Sequence, residues 1–205
     1  MLKDTGERII PENMTITNDM LIEHVARYHF ASELVYGRVL DFACGTGYGT
    51  HILAKNPKSD VTETIGIDLD PETVNYARGA YHHPKSTFLE GDVTDAGLPE
   101  KLGTFDCIVS FESIEHIQAE EQFLANVYAL LKPGGTLILS TPFGKGRGKP
   151  CKSPFHVHQL TVAEFLQLFP AYASAHFYVQ RSALIKPAED HYAGQYPLGI
   201  AVCKK

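Results

Sequence analysis

What this chain lacks narrows its identity first. No stretch of its 205 residues stays apolar for long enough to cross a bilayer, and its start carries no apolar signal segment. The sequence therefore predicts no membrane partner and a cytoplasmic setting. Its four cysteines, Cys44, Cys107, Cys151 and Cys203, form no close pair, which argues against a disulfide framework or a cysteine zinc site and fits a reducing compartment. Positive charge is also in deficit. Lysine and arginine number 18 against 24 acids, and the resulting net charge of −6 argues against broad attraction to nucleic acid. Internal repeats and low-complexity tracts are absent as well. What remains, with 44% hydrophobic residues, is enough to bury one substantial core.

The most informative stretch is Val39-Leu40-Asp41-Phe42-Ala43-Cys44-Gly45-Thr46-Gly47-Tyr48-Gly49, which sets three glycines on alternate positions behind a short apolar run. Such a pattern predicts a buried strand that turns sharply into a helix around a nucleotide, because glycine lets a ligand approach the main chain. Glu63-Thr64-Ile65-Gly66-Ile67-Asp68 reads as a second buried strand, ending in an acid about twenty residues on, where ribose hydroxyls would be held. A dinucleotide fingerprint needs a further glycine at position 50, and Thr50 stands there. The turn therefore suits a ligand without a pyrophosphate.

Strand candidates alternate with helix candidates from Arg38 to Ser140, which predicts a parallel sheet with helices on both faces. In such sheets ligands bind beyond the carboxyl ends of the strands, so Gly45 to Gly49, Asp68, Asp92 and Ser110 to Glu112 should converge on one crevice.

On these residues the chain resembles the class I S-adenosylmethionine-dependent methyltransferases. The resemblance continues through Asp68, Gly91-Asp92-Val93, Phe105-Asp106-Cys107-Ile108-Val109 and Leu131-Lys132-Pro133-Gly134-Gly135, and covers roughly residues 37 to 142. It implies an α/β, Rossmann-like, doubly wound and mostly parallel seven-stranded sheet with an antiparallel last strand. It also implies S-adenosylmethionine as methyl donor and S-adenosylhomocysteine as product. In that family's arrangement Asp41, Gly45, Thr46 and Gly47 flank the methionine portion and Asp68 holds the ribose. Leu69 packs on the adenine, Asp92 accepts from its amine and the Val93 backbone reads the ring edge, with Ser110 counted among the cofactor-binding residues.

Residues 1–36 read as an arm and a first helix in front of a compact unit over 37–205. Gly6-Glu7-Arg8, Pro11, His24, Arg27 and Tyr28 resemble the leading segment of a bacterial subgroup of these methyltransferases, often found near or fused to sugar-modifying enzymes. The expectation is a lid over the cofactor, with Arg8 or Arg27 beside its carboxylate, since a guanidinium fork matches that group.

Phe111-Glu112-Ser113-Ile114-Glu115-His116 follows the fourth strand. A helix starting there would put Glu112, Glu115 and His116 on one face, and Phe155-His156-Val157-His158 adds two imidazoles from the next connection. The combination resembles the small-RNA 3′-end 2′-O-methyltransferases and the ubiquinone-pathway O-methyltransferases. That resemblance implies a divalent metal such as magnesium, manganese or cobalt on Glu112, Glu115, His116 and His158, with His156 as neighbour. Acid–base or substrate contacts by His116, His156 and His158, or a structural role, stand beside it as alternatives. The loop from Gly144 to Lys152 carries four cations, either a clamp for an anionic acceptor or a solvated turn. The functional expectation is methyl transfer to an oxygen, or a nitrogen, of a small polar metabolite or sugar derivative. Metal-assisted RNA 2′-O-methylation and a noncatalytic cofactor-binding module are the rival readings.

Overall fold

A computed structural model describes residues 2, 6, 8–57, 60–151, 153–189 and 195–205. Glu7 of the arm and Lys152 of the cationic loop lie outside the described residues. The chain alternates α1 (Asp19–Ser32), β1 (Gly37–Phe42), α2 (Tyr48–Lys55), β2 (Val61–Asp68), α3 (Pro71–Ala80), β3 (Ser86–Glu90), α4 (Leu98–Leu102), β4 (Phe105–Phe111), α5 (Glu120–Leu130) and β5 (Leu131–Pro142). It closes with α6 (Val162–Leu166), β6 (Ser174–Arg181), β7 (Leu184–Pro187) and β8 (Leu198–Lys204). Local chemistry fixes the helix starts. Asn18 caps α1 by accepting from Leu21 N at 3.1 Å, and Asp70 and Pro71 open α3.

The strands lie in the order β3-β2-β1-β4-β5-β8-β6-β7. Strands β1 to β5 pair in parallel, and β8 inserts antiparallel between β5 and β6, as the sequence led one to expect. Among the described residues the sheet has eight strands rather than seven. β7 pairs with β6 through a two-residue turn at Ser182-Ala183, where Ser182 takes φ 51°. Asn-Gly or Asp-Gly usually announces such a turn, and a four-residue edge strand ending in proline gives no other signal.

Alternation along the strands builds two cores. Leu40 and Phe42 of β1 face Phe123, Val127 and Phe165 on one side of the sheet. Val39 faces Tyr28, Ala31 and Leu53 of α1 and α2 on the other. Asp41 shares the side of Val39 and is driven under α1. Among the described residues no helix is long and apolar enough to cross a membrane.

Candidate active site

The C-terminal ends of β1, β2, β3 and β4, together with the arm and α1, enclose a cavity of about 660 Å³. That volume suits a ligand of nucleoside size. At the end of β1 the backbone turns through Ala43 (φ 66°), Gly45 (φ 55°) and Gly47 (φ 86°). The alternate glycines do three different jobs. Gly45 lines the cavity with open space where a side chain would stand. A Cβ on Gly47 would come within 2.6 Å of the Phe88 ring and 2.7 Å of Ala77, so this glycine seats α2 against α3 and β3. A Cβ on Gly49 would drive into the Tyr28 ring, so this one lets α1 lie on α2.

Asp68, at the end of β2, accepts from Gly45 N at 2.9 Å and from Asp70 N at 3.0 Å. Burial raises its pKa against those two backbone bonds, which lower it. Leu69 follows it, 65% exposed, an apolar face left at the cavity rim. Beyond β3, Asp92 accepts from Thr94 N at 2.8 Å, and the Val93 carbonyl accepts from Asn126 at 2.8 Å, which fixes this loop on the opposite wall. The arm crosses the mouth: Arg8 pairs with Asp70 at 2.8 Å, and Thr46 Oγ1 donates to Ile9 O at 2.7 Å. Glu12 accepts from Tyr76 and Tyr81, both at 2.7 Å.

The far end of the cavity is built from charges. Glu112 follows β4 at φ 49°, a strained value for a glutamate. That backbone prevents the expected helix: a single 3-10 turn at Ile114–His116 replaces it, so the shared helical face expected for Glu112, Glu115 and His116 does not form. The carboxylate of Glu112 pairs with Arg27, which is fully buried and held by Gln180 Oε1 at 2.9 Å. It also lies 3.5 Å from His24 Nε2. Burial alone would raise the pKa of Glu112, yet Arg27 and then His24 hold it down to about 2. Glu115 is driven the other way. Burial, and then the charge of Glu112, push its carboxyl well above the usual range, and Thr141 donates to its Oε2 at 3.1 Å.

Several residues expected at the ligand stand elsewhere. Arg27 is spent on Glu112, and Arg8 is the arginine that reaches the cavity. Asp41 lies behind the wall, where it accepts from Thr50 at 2.6 Å and Tyr28 at 3.1 Å; burial raises it to about 7 against these bonds. Gly47 packs on Phe88, and Ser110 donates to Phe42 O at 2.8 Å, tying β4 to β1.

The histidines also divide differently. Among the described residues, ligand atoms of Glu115, His116 and His156 gather within 4.8 Å of one another. Glu112 is taken by Arg27 and His24, and His158 Nε2 turns to Glu120 at 3.1 Å, which removes both from the expected metal set. In the cationic loop, Arg147 is tied to Glu120 and Glu164, and none of the loop's described residues lines the cavity. The sequence reading gave no site role to Tyr48, Phe155 or Ile117, all of which line the cavity. Only Tyr48 had a local signal, as the residue that follows Gly47 at the start of α2.

Comparison with known proteins agrees with this geometry. Residues 40–139 match the methyltransferase-domain family model. A Mycolicibacterium smegmatis protein named as an S-adenosylmethionine-dependent methyltransferase is 35% identical over 170 residues, which are 80% of this chain and 62% of that protein. A Mycobacterium tuberculosis protein of the same description is 30% identical over 169 residues, covering 80% of this chain and 58% of its own. The chain thus spans about three-fifths of the length of these relatives. The solved small-RNA methyltransferase HEN1 superposes with a TM-score of 0.69 at 20% identity, over 89% of this chain and 25% of that one, a likeness of fold. With the alternating glycines at the end of β1, the acid at the end of β2 and this match across the central sheet, the chain belongs to the class I S-adenosylmethionine-dependent methyltransferases.

Proposed function

We propose that the protein transfers a methyl group from S-adenosylmethionine to an oxygen of a small polar metabolite or sugar derivative. Asp68 would hold the ribose, Leu69 would cover the adenine, and the open backbone at Gly45 would receive the methionine portion. A sulfonium is already activated, so the protein has to align the acceptor, exclude water and manage its proton. The observation that carries the oxygen reading is the pair of imidazoles, His24 and His116, that line the same cavity. A hydroxyl needs such groups, whereas a neutral amine needs only placement.

A second reading has one observation in its favour. Glu115 Oε1 is buried without a hydrogen-bond partner, and it meets His116 and His156 in a group able to hold a divalent cation. There a cation would polarise the acceptor oxygen, as in a metal-assisted RNA 2′-O-methyltransferase. Calorimetry with cobalt or manganese tests the site directly, and binding abolished in His116→Ala supports it. Tight, salt-dependent binding to an RNA oligonucleotide would favour the RNA acceptor over the metabolite.

The deciding experiment offers methyl-labelled S-adenosylmethionine and deproteinised cell extract to the enzyme, with and without chelator. A small O-methylated product supports the proposal. Binding of S-adenosylhomocysteine with no product from any acceptor would instead mark a noncatalytic module.

A further inference from the structure

His24 and Tyr48 reach the same part of the cavity from different helices, α1 and α2. His24 Nδ1 lies 3.0 Å from the Tyr48 hydroxyl, and Nε2 faces Glu112 Oε2 at 3.5 Å. Glu112 is ionised and can only accept, so the ring hydrogen belongs on Nε2. Nδ1 then carries the lone pair, and the Tyr48 hydroxyl donates into it. The phenol oxygen is left as an acceptor for a group in the cavity. This arrangement is braced by further contacts. Arg27 locks Glu112 and is itself held by Gln180, whose amide donates to Glu23 O at 2.9 Å and Ser182 O at 2.7 Å. Tyr48 is steadied by an edge contact with Tyr28, ring centroids 5.4 Å apart.

We infer that Tyr48 and His24 form the proton relay for the acceptor hydroxyl, with Glu112 as the positioning residue that sets the tautomer of His24. The inference rests on the O-methylation reading. As the acceptor oxygen forms its bond to the methyl carbon, the carbon–sulfur bond breaks and its electron pair stays on sulfur as S-adenosylhomocysteine. The acceptor O–H bond breaks, its proton passes to the Tyr48 oxygen, and the Tyr48 proton passes to His24 Nδ1. Positive charge thus leaves the sulfonium and appears on an imidazolium that faces an ionised carboxylate. This is the logic of a base oriented by a third group. His116 is the weaker base candidate, because it is exposed and its Nδ1 is occupied by Phe155 O at 3.1 Å.

The test uses the whole protein with labelled S-adenosylmethionine and deproteinised cell extract. His24→Gln and Tyr48→Phe should each lower kcat by about a hundredfold, with the KM for S-adenosylmethionine within about twofold. Glu112→Gln should lose about tenfold, and Glu112→Asp should recover most of it. Tyr48→Phe keeps the ring that packs on Tyr28, so its loss is not a folding defect. Independently of any acceptor, long-range proton–nitrogen spectra of the imidazoles should show His24 as the Nε2–H tautomer, and Glu112→Gln should shift it. Wild-type turnover in His24→Gln, or an Nδ1–H tautomer in the wild type, overturns the relay alone. A wild-type enzyme that methylates nothing in the extract overturns the methyl-transfer reading, and the relay with it.

Discussion

At the Asp68 end of the cavity the main chain does the holding, while at the Glu112 end side chains from distant segments do it through charge. Gly45, Asp68 and Asp92 sit directly at strand ends, so the parallel sheet brings them together as soon as it forms. Arg27, Glu112 and Gln180 come from α1, the end of β4 and β6, and meet only when the whole molecule is packed. On the function proposed above, the first construction would hold the methyl donor shared across the family and the second would meet the acceptor. Backbone strain marks the junction of each end with the sheet, at Ala43 after β1 and at Glu112 after β4.

The strongest way to break the comparison is Arg27→Met. It leaves Glu112 without its buried partner, and Glu112 is a quarter exposed, so the loss should lie near the low end for such pairs, about 3 kcal/mol. Thermal unfolding should fall by about 6–12 °C, with affinity for S-adenosylhomocysteine falling far less than turnover. Next is Asp68→Asn. A carboxylate that accepts hydroxyls is replaced by an amide, which should weaken S-adenosylhomocysteine by about tenfold or more in calorimetry. The amide NH2 would also face one of the two backbone N–H groups of Gly45 and Asp70, so stability should fall by about 1 kcal/mol.

A smaller effect belongs to the buried acid behind the wall. Asp41 titrates at about 7 in the folded chain against 3.8 ordinarily, so the folded state keeps a proton that the unfolded state has lost. Its contribution makes stability fall as pH rises through that window and level off above about pH 7. Denaturant unfolding of Asp41→Asn across the same pH range should show a flatter slope than the wild type. The smallest effect is expected from Lys145→Glu with Lys149→Glu. Their loop is anchored elsewhere by Arg147, so acceptor KM and cofactor affinity should stay unmoved.

How far the sequence could be read follows the same division. The glycine turn, Asp68, Asp92 and the inserted antiparallel last strand were legible, because each depends on residues close in the chain or on the handed winding of the sheet. The expected helix over 112–116 was not, since nothing nearby announces that Glu112 takes a left-handed backbone. From the sequence, Arg27 and Arg8 are equal candidates for the cofactor carboxylate, because only their charge is visible there. The true partners of Arg27, Glu112 and Gln180, lie 85 and 153 residues away, where spacing carries no information. The three glycines looked alike and proved different, as only the neighbours Phe88, Ala77 and Tyr28 decide which of them must lack a side chain.

The measurement that bears most directly on this two-ended cavity is calorimetric titration of S-adenosylhomocysteine into the wild type, Asp68→Asn and His24→Gln side by side. The structure predicts one site per chain, weakened in Asp68→Asn and unchanged in His24→Gln. Absence of heat in the wild type, with a nicotinamide or flavin nucleotide binding in its place, would contradict it.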